Sequence, residues 1–132
     1  MNADHTDKRR LGLDGLTRKI IGCAYDVSNG LGARFLEKVY ENALAHEIRK
    51  AGLKVEQQHG IRVQYDGVFV GDFVADLLVE GSVLVGLKAI KAFEDVHYVQ
   101  CMNYLKATGL SVCLLINFGT PKVQIKRIVH RY

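Results

Sequence analysis

Asp76 and Lys88 are the residues of this chain whose types and spacing could do chemistry. Asp76 interrupts the apolar run "DFVADLLVE" and Lys88 interrupts "VLVGLKA", each of strand-like composition. A carboxylate and an ammonium inside neighbouring strands make either a buried ion pair or a reactive site, and buried ion pairs are weak stabilising devices. Gly86 stands two residues before Lys88, where a glycine costs about 0.5–1 kcal/mol relative to alanine in a strand interior. Farther on, His97, Gln100 and Tyr104 fall at i, i+3 and i+7, a polar stripe on an otherwise apolar helical segment. Glu37 stands between Leu36 and Tyr40 on an earlier helical segment. Singly, each has a structural reading: a surface carboxylate for Glu37, a sheet-to-helix hydrogen bond for Gln100, a satisfied imidazole for His97. Together they have the composition of a magnesium phosphodiesterase site. Carboxylate oxygens suit a hard cation, and a lysine neutralises charge developing on a phosphorane or positions the attacking water.

These residues need elements to hold them. Leu13, Leu16, Ile20, Ala24 and Val27 follow helical spacing, which "SNGLG" interrupts. A second helix places Leu36, Val39, Tyr40, Ala43, Leu44, Ile48 and Ala51 on one face and ends at Gly52. The period then changes. "LKVEQQ" and "IRVQY" alternate as one or two strands, Asp66-Gly67 signals a hairpin, and "VFVGDFVADLLVE" reads as a long strand with Gly71 at a bulge. "EGS" turns the chain into "VLVGLKA", where a simple hairpin register brings Asp76 and Lys88 to one face. A helix from about Glu94 to Thr108 follows, with Gly109 after it, then the apolar central strand "SVCLLINF" and the alternating edge strand "KVQIKRIV". A crossover through a helix implies parallel pairing. The expected fold is α/β, a mixed sheet flanked by helices. Residues 1–10 read as a mobile tail and 11–132 as a single domain.

Bulk properties narrow the function classes. The chain has 132 residues, 48% of them hydrophobic, and one proline, which describes a folded domain with a substantial core. No apolar run approaches the roughly 20 residues of a membrane helix. The polar opening "MNADHTDKRR" lacks the apolar core of a secretory signal, so the expected setting is cytoplasmic. Cys23, Cys101 and Cys113 lie in apolar surroundings without ligand spacing, so they read as reduced core thiols rather than a zinc site. No serine elbow and no P-loop is present. A net charge of +4 permits phosphate-backbone binding without requiring it. Lys122, Lys126, Arg127 and Arg131, with Lys88 and Lys91, are the cations that could line a cleft mouth.

The aspartate–hairpin–lysine arrangement in an αβββαβ order resembles the PD-(D/E)XK nuclease superfamily, and more specifically its GxxExxY family. The resemblance runs from Leu16 to Val129 and rests on "LEKVYENAL", "FVADLLVE", "VLVGLKA", "HYVQCMNYLKATGL" and "LLINFG" with "KRIV" behind. It implies a restriction-endonuclease-like core with an extra N-terminal helix, acting on DNA or RNA with Mg2+ or Mn2+. By this likeness Glu37 and Tyr40 match E-x-x-Y. Asp76 matches the metal-binding aspartate, and the Leu87 carbonyl an added oxygen ligand. Lys88 matches the motif lysine and Gln100 the glutamine of the following helix, with His97 one turn before it; Tyr104 stays a site candidate by its spacing alone.

Two positions depart from the pattern. Arg34 replaces the first glycine of G-x-x-E-x-x-Y, and Gly86 replaces the acid of (D/E)-x-K. Glu80, Glu94 and Asp95 offer no compelling substitute. The expected activity is therefore that of a depleted, weak or inactive phosphodiesterase, with Lys88 paired mainly to Asp76. Position 86 is expected to face a polar cleft that would accept a glutamate. The competing reading is a non-catalytic nucleic-acid-binding or self-assembling scaffold. Phe69, Val70 and Phe93, which no helix obviously covers, and the open C-terminal strand favour a homodimer or higher homo-oligomer.

Overall fold

The computed structural model describes the backbone of residues 2–131 and the side chains of residues 12–131. Helix α1 (Asn2–Leu31) precedes α2 (Glu37–Lys50). Strands β1 (Val55–Tyr65), β2 (Val68–Val79) and β3 (Val83–Lys88) follow, then α3 (Asp95–Thr108), β4 (Val112–Asn117) and β5 (Gln124–Val129). The strands lie side by side in chain order; β3 and β4 are parallel and the other pairs antiparallel. This is the expected mixed sheet, with its one parallel pair at the helical crossover. The expectation of a mobile tail at 1–10 concerns residues whose side chains lie outside the described set; α1 begins at Asn2, ahead of the Leu13 start. It continues through "SNGL" and stops at Gly32, whose φ of 75° suits glycine.

Two hydrophobic layers hold the helices to the sheet. On one face Ile20, Ala24 and Val27 of α1 and Tyr40, Leu44 and Ile48 of α2 pack on Leu77, Val85, Leu87, Leu114 and Ile116. On the other, Cys101, Tyr104 and Leu105 of α3 cover Ile61, Ala75, Leu84, Cys113 and Leu115. β4 is buried along its whole length, as a central strand flanked by both layers must be. All three cysteines are unbridged and buried. Among the described residues no helix is long and apolar enough to cross a membrane.

The hairpins follow their turn chemistry. Asp66 and Gly67 have φ of 53° and 77°, the two positive values that a two-residue hairpin turn needs, and in the three-residue connection 80–82 Glu80 and Gly81 have φ of 53° and 61°. The β1–β2 register shifts between Val63 and Gln64, so the bulge falls at Val70, beside the glycine expected to carry it.

Two packing expectations are corrected. The buried face of α2 is Tyr40, Glu41, Leu44, Ala45 and Ile48, whereas Leu36, which precedes the helix, and Val39 are exposed: the stripe that meets the sheet includes Glu41 and leaves Val39 out. Phe93 is covered: it packs on the α3 layer and meets His97 and Tyr98 edge-on. Phe69 and Val70 do stand in solvent.

The end of β4 is pinned tightly. The buried Asn117 side chain accepts from Ile90 N (3.0 Å) and Gly119 N (2.9 Å) and donates to Ile90 O (2.9 Å), clasping the chain just after Lys88. A β-carbon at Gly119 would sit well inside contact distance of the Ile90 and Ala89 backbone. Gly119→Ala is therefore expected to lower unfolding free energy by about 1–3 kcal/mol or more in urea denaturation, by forcing residues 89–90 off the clasp. A variant as stable as the parent would contradict this packing.

Candidate active site

The site grows from an irregularity in β2. Ala75 packs in the α3 layer, yet Leu77, two residues on, packs in the α1–α2 layer, so the strand's alternation slips at Asp76. Opposite it, Gln58 of β1 adopts φ of 54°, a left-handed conformation rare for a residue with a side chain. β2 pairs with β3 only from Leu77–Val79 to Val83–Val85. Past that point the strands part, and the Leu87 N–H donates to Asp76 Oδ2 at 2.6 Å in place of a ladder carbonyl. Leu87 thus meets Asp76 through its N–H.

α2 supplies two further carboxylates. Glu41 is buried; its Oε1 accepts from Gln58 Nε2 (2.6 Å) and its Oε2 from Gln57 Nε2 (2.7 Å) and Lys38 Nζ (2.9 Å). Glu37 is one turn earlier, exposed, and within the electrostatic reach of Asp76 and Lys88. Burial pushes the Asp76 carboxyl above its usual range; Glu41 adds to the rise, while the Leu87 N–H, Lys88 and the Gln58 side chain oppose it. Partial desolvation raises Glu37 too, with Asp76 raising it further and Lys88 lowering it. Lys88 is half-buried and forms no ion pair with Asp76 within 4.0 Å among the described residues, contrary to the expected pairing. The carboxylate is held by the Leu87 amide instead.

The other expected residues divide. Gln100 is half-buried on α3, and among the described residues no hydrogen bond holds its amide. His97 caps its own helix, its Nδ1 accepting from Glu94 N at 2.9 Å while Glu94 caps in return. The Tyr104 hydroxyl donates to Val74 O at 3.1 Å; burial, with Asp76 next in weight, pushes it up to about 12, so it stays protonated. Tyr40 is wholly buried, stacks on Phe118 at 4.8 Å, donates to Gly32 O and accepts from Phe35 N (3.1 Å). It fastens the α1–α2 connection and does not reach the carboxylates. Arg127, expected at the cleft mouth, pairs with Asp14 of α1 at 2.5 Å.

Gly86 is the largest departure from expectation. A β-carbon there would meet Cys101 Sγ at 3.5 Å and Leu115 Cδ1 at 3.6 Å, ordinary contacts within the α3 layer. The position faces apolar groups, not a polar cleft, because α3 packs its first buried turn directly over β3. Alanine fits; a glutamate carboxylate would have to displace the thiol or the leucine.

The family model of the PD-(D/E)XK nuclease superfamily matches residues 14–128. The chain belongs to this superfamily. Among solved structures, the crystal structure of SSO0001 is similar with a TM-score of 0.59 at 11% identity, over 94% of this chain and 63% of that one. That likeness concerns the restriction-endonuclease-like fold, and this chain spans less than two thirds of the other's length. No curated protein matches the sequence.

PD-(D/E)XK nucleases generally use divalent metal ions, and the oxygens here have the right hardness. Their placement does not fit one. Among the described residues no group of three or more His, Cys, Asp or Glu could hold a metal ion. Both Glu41 oxygens and one Asp76 oxygen are already engaged. Sequence reasoning missed Glu41 and Gln58. Glu41 was detectable as a charged residue on the same turn-to-turn stripe as Glu37, Leu44 and Ile48; Gln58 carried no signal.

A raised carboxyl favours the folded state while protonated. That contribution is complete below the ordinary carboxylate range and is lost as pH rises through the raised value. Asp76→Asn keeps an acceptor for Leu87 N–H and removes the titration. Its stability relative to the parent is expected to improve progressively from about pH 4 to 7 in thermal unfolding. A constant difference across that window would mean Asp76 is not desolvated.

Proposed function

We propose that this protein is a nucleic-acid-binding member of the superfamily, of the GxxExxY type, whose phosphodiesterase site is depleted and weak or inactive. The observation that carries this reading is the burial of Gly86, the motif-acid position, against Cys101 and Leu115. Glu37 and Tyr40 in E-x-x-Y spacing support the finer family, although Arg34 stands in place of its glycine. Unbridged buried thiols suit a cytoplasmic setting.

In this reading Lys88 holds a phosphate oxygen by charge and the free Gln100 amide donates to another. Asp76, oriented by the Leu87 N–H, is the group that could take a proton from water, and its raised affinity for protons makes it a better base than an exposed carboxylate. In superfamily members that carry one, a divalent ion polarises the phosphoryl group and acidifies water; these side chains as placed do not provide for it. Glu37 and Asp76 also repel the phosphate that Lys88 attracts, so binding is weak and falls with salt.

The test is cleavage of plasmid, single-stranded DNA and RNA with Mg2+ or Mn2+, alongside binding at several salt concentrations. Salt-dependent binding is expected, with cleavage within about tenfold of Lys88→Ala. Cleavage about a thousandfold above that variant would show a working site. Gly86→Glu alone is expected to destabilise without conferring activity, because its carboxylate enters the apolar α3 layer without a partner. A fully stable Gly86→Glu single variant would contradict the packing.

A self-assembling scaffold is the second reading, favoured by Tyr65, Val68, Phe69 and Val70 standing exposed at the β1–β2 hairpin tip. Light scattering is expected to show a dimer that Phe69→Ser dissociates; a monomer at high concentration would remove this reading.

A further inference from the structure

An open cavity of about 610 Å3 lies between the β1–β2 ribbon and α3, away from the carboxylates. Arg62, Val63 and Gln64 line it from β1, Phe73 from β2, and Asn103, Lys106 and Ala107 from α3. Its volume is in the range of small-ligand sites and exceeds what one nucleoside needs. The lining combines an aromatic ring, two amide side chains and a cation on each of two opposite elements. Phe73 is half-buried and tilted against Tyr104 at 5.6 Å, so neighbours fix its ring while part of it stays accessible. Arg62 and Lys106 are exposed, and the Arg62 guanidinium lies 4.8 Å over the Phe69 ring, steadied at the ribbon's side.

The cavity is continuous in sequence with the candidate site along two elements. On α3, Gln100, Asn103 and Ala107 follow one another at i, i+3 and i+7 and share a helix face. On β2, Phe73 precedes Asp76 by three residues, roughly 10 Å of strand. A nucleic-acid strand whose phosphate rested on Lys88 would thus have a neighbouring nucleotide within reach of the cavity. A duplex keeps its bases stacked inward and offers no ring to an aromatic wall. A single strand exposes each base face, and base–aromatic stacking beside cationic groups is how such strands are held.

We infer that this cavity is a nucleotide subsite that selects single-stranded nucleic acid, its base against Phe73 and its phosphates between Arg62 and Lys106. The inference rests on the nucleic-acid reading of the protein and adds the form of substrate to it. Asn103 and Gln64 would contact base edges.

The test is fluorescence anisotropy with a labelled single-stranded DNA and a duplex of the same sequence at low salt, on the full chain. Single-stranded DNA is expected to bind about tenfold more tightly than duplex. Lys106→Ala, at an exposed position, and Phe73→Leu should each remove that preference while leaving duplex binding unchanged, which also reports that the variants are folded. Lys88→Ala should weaken both forms equally. A parent chain with no preference for single strands, or variants that weaken both forms alike, would overturn the subsite while the nucleic-acid reading stands. Absence of binding to either form at low salt would overturn both.

Discussion

The hydrogen bond from the Leu87 N–H to the Asp76 carboxylate is the constraint on which the rest of the site depends. β2 turns its side chains over at Asp76 and leaves β3, so a buried backbone donor loses its partner. Leaving it unpaired would cost about 1–3 kcal/mol. A carboxylate supplied by the departing strand satisfies it, and the amide in turn opposes the rise that burial imposes on that carboxyl. Everything that meets at the fork follows: Lys88 emerges one residue after the bonded amide, Gln58 bends in from β1, and Glu41 ties that bend to α2. Tyr40, stacked on Phe118 beyond β4, holds the start of α2 in reach of the fork.

Among the described residues Lys88 makes no ion pair and no hydrogen bond holds the Gln100 amide, whereas Glu41 accepts from three donors and one Asp76 oxygen serves the strand junction; Glu37 stays exposed. On β3 the motif-acid position is held by Gly86, where a β-carbon would make ordinary contacts with Cys101 and Leu115, so alanine fits and only a longer charged side chain would have to displace one of them.

Much of this was legible in the sequence. Asp66-Gly67, Gly109 and the change from helical to alternating period marked the elements, and the apolar β4 marked the centre of the sheet. The proximity of Asp76 and Lys88 followed from two strands joined by a short turn. What escaped was set by tertiary packing. The buried stripe of α2 takes in Glu41 and leaves out Val39, although apolarity alone favours the reverse. The switch of faces at Asp76 depends on a left-handed Gln58 that no propensity announces. The environment of Gly86 is decided by a helix that arrives later in the chain, and the pairing of Arg127 by an aspartate 113 residues away.

We propose that Asp76 and Glu41 serve the fold rather than a cation. Isothermal titration of the protein with Mn2+, compared with Asp76→Asn, tests it most directly. Binding no tighter than about 1 mM is expected, with no difference between the two proteins. Binding near 1 μM that Asp76→Asn abolishes would contradict it.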